Sequence, residues 1–513
     1  MDGRRGHDDI DEIVKDIYMS AVYGIKPEGE EEASDDTMIW GGIGESPSLP
    51  KDDFSDLSVF AEKAFAKDAE MQSAGSGHDM SREKDGLPEA APQESGRNIH
   101  PEARKKSTRG RRELIKKGRE KKKGKPQRRA KLIRLLSALL AIAGLYCIAV
   151  FSDIPFIKKW RDIYIETAMG TMTHQWLATA FIPDFVIEEV MTVREDYEEF
   201  QQGIDTNWSI DELKNAGKKI KWKDLEKSFF KLYPEIDKDS FESYMEGHED
   251  ESITESGYLV IDKASRGDED TAIRTTSGDR VLAIDTLNGI TIAMVEGSDY
   301  AGCLAIIKDP SQVGVSPAST LGSRGQHIAG IAEESNAVLA INASGFYDPG
   351  GHGNGGTVHG LLISDGEKLS DWSWGTNKVI GFDEDDTLYV GTYKEENDLR
   401  DAVEFKPMLV YDGIKAVEGS AGWGISPRSA IGQTKDGQVL LLVVDGRQPG
   451  YSIGCTMGDL ADIMLRYDAY QACNLDGGSS SIMYYNGRKI TKPSSGDKTN
   501  GRYLPDAFTV AAR

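Results

Sequence analysis

The chain has 513 residues, room for more than one domain, and its 85 acidic against 61 basic residues give a formal charge of −24. The imbalance is uneven, and that excludes a chain folded throughout. Residues 1–103 are acidic and rich in Ser, Gly and Pro with few aromatics, so they bury too little apolar surface to offset the entropy of ordering. They are expected to form a disordered cytoplasmic tail, with one short helix near Ile10–Tyr18.

A dense basic segment follows, 104–134, containing "KKKGKPQRRAKLIR". Such a run invites a nucleic-acid reading. The next residues decide against it: Leu135–Phe151, "LLSALLAIAGLYCIAVF", carries no charge, and with the outer residues to Ile157 it is long enough to cross a bilayer core of ~30 Å. One transmembrane helix is expected over 135–157. The basic flank then lies in the cytoplasm and everything after Ser152 outside it. A cleaved signal peptide does not fit an apolar stretch so far from Met1. Of the cysteines, Cys147 lies in the span, while Cys303, Cys455 and Cys473 allow either one external disulfide or three reduced core thiols.

Residues 158–250 read as a helical stalk and linker; in "IPDFVIEEVMTVREDYEEF" the spacing of Phe185, Val186, Val190 and Val193 predicts an apolar helix face. From 251 to 513 short β-rich runs alternate with turn residues. Helices are expected at His327–Ser335 and Thr456–Tyr467, the second with Thr456 as N-cap and Asp459 three residues on. The fold class is therefore α+β: a mixed β-sheet domain with packed helices, after one transmembrane helix and a disordered tail.

Within that domain polar clusters repeatedly follow apolar strands. "AVLAIN" ends at Asn342 before "ASGFYD", "QVLLLVV" ends at Val444 before Asp445-Gly446-Arg447, and "ACNL" leads to Asp476-Gly477-Gly478. Strand ends present side chains to ligands, and glycine lets a ligand approach the backbone. Three such ends predict one shared site. Taken alone each is weak: Asp445-Gly446 is an ordinary turn, "GGHGNGG" lacks the Lys-Ser/Thr of a nucleotide loop, and His327, His352 and His359 have no helix-face metal spacing.

Together, "AINASGF", "SPRSAIG", "VVDGR", "GCTMGDLADIM" and "NLDGGSSSIM" resemble the phosphodiester glycosidases, over roughly residues 299–513. The resemblance implies a hydrolase that releases a sugar from a sugar-1-phosphate diester, membrane-anchored and extracytoplasmic, in bacterial cell-envelope or exopolysaccharide metabolism. The leaving phosphate is already a stable anion, so its charge must be held, and the forked guanidinium suits that role. Arg428, Arg447 and Arg502 are the candidates. A carboxylate at the anomeric carbon, Asp476 or Asp445, would activate water or stabilise an oxocarbenium-like state. Asn342, Gly345, Phe346, His359, Asn474, Gly477, Gly478, Ser479 and Ser480 are expected to hold the sugar or phosphate. No metal site is expected, although one carboxylate could instead join an oxygen-only Ca²⁺ site. The expected partners are a glycan or sugar-phosphate substrate and the membrane, with no nucleic acid. The rival reading is a glycan-binding or polysaccharide-assembly protein that keeps the fold without catalysis.

Overall fold

The computed structural model describes residues 124–210, 219–265, 267–372 and 377–513; the expected tail 1–103 and the short helix within it lie outside them. The charge-free run and part of its basic flank form one helix, Gly124–Phe151. Its Arg129–Phe151 portion is long and apolar enough to cross a membrane. The helix stops before the expected end at Ile157, because Ser152–Ile154 leave helical geometry and Pro155, without an N–H, opens a second helix, Pro155–Met169.

Two more helices, Trp176–Thr179 and Asp184–Gln202, fold back onto the first two. Val150, Ile165, Ala168, Ala178, Ile182, Val186, Ile187 and Val190 form their shared core. The apolar face of Asp184–Gln202 thus differs from the expected one: Ile187 is buried, while Phe185 and Val193 are 62% and 38% exposed. The Phe185 ring stacks on Phe151 instead, with centroids 6.2 Å apart.

The segment expected as a stalk lies against the sheets. Gln201 Nε2 donates to Met408 O (3.0 Å) and Ala416 O (3.2 Å), and its Oε1 accepts from Met408 N at 2.9 Å. Trp208 Nε1 donates to Leu388 O at 3.0 Å, and Lys378 Nζ to Ile204 O at 2.7 Å. A helix polar enough to read as solvated is using its polar side chains on sheet backbone. Further along, Trp222, Phe229, Tyr233 and Phe241 pack against Leu259, Ile261, Ile273 and Ile284.

Among the described residues there are three antiparallel sheets. The nine-stranded sheet runs, in spatial order, through Val260–Asp262, Arg280–Asp285, Ile290–Glu296, Ala301–Ile307, Val439–Val444, Arg428–Thr434, Ala469–Asn474, Met408–Tyr411 and Ile414–Lys415. A five-stranded sheet centres on Ala337–Asn342, flanked by Met483–Tyr485 and Asp506–Ala511. The other centres on Leu399–Phe405. All three contribute to one core, as with Leu441, Ile431 and Cys473 from the first, Ile341, Met483 and Phe508 from the second, and Leu362, Ile380 and Val403 from the third. Each such side chain, once fully buried, contributes about 1.5–3 kcal/mol.

Met457–Arg466 is a helix, capped as expected: Thr456 Oγ1 accepts from Asp459 N at 3.1 Å while Thr456 N donates to Asp459 Oδ2 at 2.9 Å. Cys303, Cys455 and Cys473 are buried and free, the reduced-core alternative.

Candidate active site

Asn342 ends a strand of one sheet; Val444 and Asn474 end the two strands that flank Arg428–Thr434 in another, aligned so that Arg428 faces Val444 and Ala430 faces Asn474. The side chain of Asn342 stitches the two sheets together. Its Nδ2 donates to Asp476 O at 2.6 Å, and its Oδ1 accepts from Ser429 Oγ (2.8 Å) and Ile482 N (3.1 Å). Expected to hold substrate, Asn342 is wholly buried and positions the turn that follows Asn474.

That turn, Asp476–Ser480, is fixed at both ends. Asp476 N donates to Ala343 O (3.1 Å) and Gly478 N to Pro427 O (2.8 Å). Gly478 has a φ of +63°, and a Cβ there would lie 3.2 Å from Arg447 Nη2, so only glycine brings backbone and guanidinium this close without strain. Burial pushes the Asp476 carboxyl up to about 7, although Ser480 hydrogen-bonds it and the Arg502 charge favours its ionised form. Across the same Ala343–Ser344 peptide, Ser344 N donates to Asp506 Oδ1 at 2.8 Å; Asp506 is wholly buried and its carboxyl is pushed up to about 6.

Two guanidinium groups border the turn. Arg428 is buried, Nη2 donates to Trp423 O (2.7 Å) and Gly424 O (3.1 Å), and Nε has no partner. Its pKa is pushed down to about 10, chiefly by burial, with the nearby Arg447 charge adding to the shift. Arg447, at a φ of +58°, reaches only Ser479 Oγ (3.4 Å) and Ser426 Oγ (3.5 Å). Both guanidiniums thus bond carbonyl or hydroxyl oxygens, and among the described residues neither forms an ion pair. Two cations so placed have donors left to offer an anion.

The remaining expected residues divide. Asp445 is buried with its oxygens already taken: Oδ1 and Oδ2 accept from Lys492 N at 2.8 and 3.0 Å, and Oδ2 from Tyr451 Oη at 3.0 Å. It ties the loop after residue 489 to its own turn. Arg502 is likewise committed, bidentate to Asp348 at 2.6 and 2.8 Å, with Phe346 beneath it at 4.6 Å. The pair pins the Gly-rich loop through Gly353 O, and the Arg502 charge favours the ionised form of Asp476. Asn474 is buried; Nδ2 donates to Lys406 O at 2.7 Å and Oδ1 has no partner. His359 N donates to Gly345 O at 2.9 Å, and burial holds the imidazole below its ordinary range. Ser481 Oγ, two residues beyond Ser479, is also buried without a partner. Arg428 Nε, Asn474 Oδ1 and Ser481 Oγ are thus buried polar atoms without partners, where buried polar groups ordinarily pair.

Three contributors escaped sequence reasoning. Asp348 closes the "ASGFYD" run, and Asp506 opens the apolar strand "DAFTV", where a polar first residue is the available signal. Glu166 had none. It is buried, and its Oε2 accepts from Gly424 N at 3.2 Å while Thr167 Oγ1 accepts from Ile425 N at 2.9 Å. The Gly424 peptide therefore bonds Glu166 on one side and Arg428 on the other. Among the described residues no three His, Cys, Asp or Glu side chains converge as a metal site, so the Ca²⁺ alternative finds no cluster there.

Residues 335–511 match the model of the phosphodiester glycosidase family. The chain is 28% identical over 163 residues to N-acetylglucosamine-1-phosphodiester alpha-N-acetylglucosaminidase of Homo sapiens, covering 28% of this chain and 31% of that one. It is 29% identical over 198 residues to the SPbeta prophage-derived uncharacterized protein YomE of Bacillus subtilis (strain 168), covering 36% of this chain and 29% of that one. The chain thus spans about 30% of the length of these relatives. The zebrafish N-acetylglucosamine-1-phosphodiester alpha-N-acetylglucosaminidase catalytic domain, auto-inhibited by its pro-peptide, aligns at 20% identity and a TM-score of 0.38, over 44% of this chain and 83% of that one.

Proposed function

We propose that the protein is a membrane-anchored hydrolase of glycosyl phosphodiesters, acting outside the cytoplasm on a cell-envelope or exopolysaccharide glycan. The observation that carries this is the pair Arg428 and Arg447, neither in an ion pair, set against Asp476 with its carboxyl near 7. The match of residues 335–511 to the glycosidase family supports the same assignment.

In this reading Arg447 and Arg428 hold the departing phosphate, whose developing charge their donors meet. No strong acid is needed, because the leaving group is already stable as an anion. Asp476, ionised, activates water or stabilises the positive charge growing at the anomeric carbon. Asn474 Oδ1 is the free acceptor for a sugar hydroxyl. The test is hydrolysis in ¹⁸O-labelled water by the full chain, with a panel of sugar-1-phosphodiesters. Label on the anomeric oxygen is expected; label in the phosphate would mean attack at phosphorus and would overturn the assignment.

A further inference from the structure

Resting on that reading, we infer that the second ester of the substrate is a lipid, and that the enzyme takes its substrate from the surface of the bilayer in which Arg129–Phe151 sits. The geometry starts where that helix ends. Arg161 Nη1, from the next helix, donates back to Val150 O at 3.0 Å; Tyr164 Oη donates to Leu177 O at 2.8 Å, and Tyr146 Oη to Phe181 O at 2.8 Å. Three side-chain bonds therefore fix the Pro155–Met169 helix and the 176–182 turn against the last turns of the apolar helix.

The same segment carries both loops of the site. Glu166 and Thr167 follow Arg161 by five and six residues on the same helix, about 7.5–9 Å of rise along its axis. There Glu166 and Thr167 hold Gly424 and Ile425, and the Trp423 and Gly424 carbonyls hold Arg428. On the other side, a Cβ at Gly351 would lie 3.1 Å from Thr173 Cγ2, and that loop is clamped to Arg502 through Asp348 and Gly353. The headgroup layer of a bilayer is about 5–8 Å deep on each side. One short helix thus joins the end of the apolar helix to the carbonyls that hold Arg428. A phosphodiester whose aglycone stays in the bilayer would meet a site tied this closely to the end of the span.

The surface between fits the same occupant. Phe156, Trp160, Trp176, Phe181 and Phe185 are 49–73% exposed around the end of the apolar helix, with Lys158 and Lys159 exposed among them. One exposed aromatic means little, but five at this level, interspersed with cations, match the boundary between hydrocarbon and headgroups. Phe156 and Trp160, with Ala149, Val150, Ile157, Arg161, Tyr164 and Ile182, line an open, mostly apolar groove of about 640 Å³, suited to part of a hydrocarbon chain.

The test uses the full chain in phosphatidylcholine vesicles with two N-acetylglucosaminyl phosphodiesters, repeated across a panel of sugars. One is esterified to a long-chain alcohol and dissolves in the bilayer; the other is the water-soluble methyl ester. The lipid ester should turn over about tenfold faster or more at equal bulk concentration, because confinement raises its effective concentration at the site. The double variant Phe181→Ser with Phe185→Ser should abolish that advantage and leave methyl-ester turnover unchanged. Equal rates for the two esters, a faster methyl ester, or an advantage untouched by the double variant would overturn the lipid assignment while leaving the glycosidase standing. Release of sugar from neither ester would take down the glycosidase reading, and this inference with it.

Discussion

Asp445 and Asp476 are alike in sequence, each an Asp-Gly step directly beyond an apolar strand, and they end in opposite situations. Around Asp445 every nearby donor is turned inward: Lys492 N bonds both oxygens and Tyr451 Oη bonds one. Around Asp476 the backbone is tied down, while the carboxyl keeps the Ser480 hydroxyl and the Gly477 amide as partners and burial pushes it up to about 7. The same division runs through the arginines, since Arg502 is locked bidentate to Asp348 while Arg447 touches only hydroxyls. A carboxylate with a full set of donors is a fastening; one buried with few is held ready for a ligand.

The sharpest way to break this comparison is Asp476→Asn. The amide keeps the shape and the Ser480 bond, so the melting temperature should stay near that of the parent, while turnover falls by about 10²–10⁴. Sugar release measured beside a thermal melt separates the two effects. Near-normal turnover in the folded variant would remove Asp476 from the mechanism and dissolve the contrast with Asp445.

Next in size is Arg447→Lys. A lysine keeps the charge but not the two-donor plane, and losing one charge-assisted hydrogen bond of ~1.5–3 kcal/mol lowers turnover about 10- to 100-fold. Arg502→Lys, by contrast, should act through stability, because what it disturbs is the Asp348 clamp. If both variants lose turnover equally with unchanged melting, the separation of free from committed guanidiniums is wrong.

A smaller effect is expected from pH. If Asp476 acts ionised, kcat/KM should fall about tenfold per unit as pH drops below about 7, and Asp476→Asn should lose that limb. Stability should move the other way. The folded-state pKa values of Asp476, Asp445 and Asp506, at about 7, 6 and 6, lie above the ordinary carboxylate value. Between about pH 4 and 7 the folded state therefore binds more protons than the unfolded state, and stability declines as pH rises through that window. Melting temperatures that rise with pH from 5 to 7.5 would contradict this assignment of the buried carboxyls.

How much of this was legible follows the range of the forces involved. Local rules predicted the Thr456 cap and the strands ending at Asn342, Val444 and Asn474, because propensity and capping are decided within a few residues. Convergence of those ends at one place was also readable from their shared chemistry. Which polar group is satisfied was not, since the partners of Asp445, Asn342 and Arg428 lie far off in sequence or on backbone atoms that any residue carries. Glu166, which bonds the amide of Gly424, is the extreme case. Its neighbours in sequence read as part of a stalk, and only the tertiary fold turns it inward.

The smallest effect expected on turnover is that of Asp445→Asn, and it completes the comparison. The amide oxygen can still accept from Lys492 N, but the NH₂ group cannot replace the second oxygen, which accepts from both Lys492 N and Tyr451 Oη. One buried donor is left without its acceptor, a loss of about 1–3 kcal/mol. Part of that is returned at neutral pH, because the wild-type carboxylate is ionised there at a position whose burial disfavours the charge. The melting temperature should fall by a few degrees, while kcat stays within a few-fold of the parent and its limb near pH 7 is kept. A kcat loss as large as that of Asp476→Asn, without a change in melting, would place Asp445 at the reacting carbon after all.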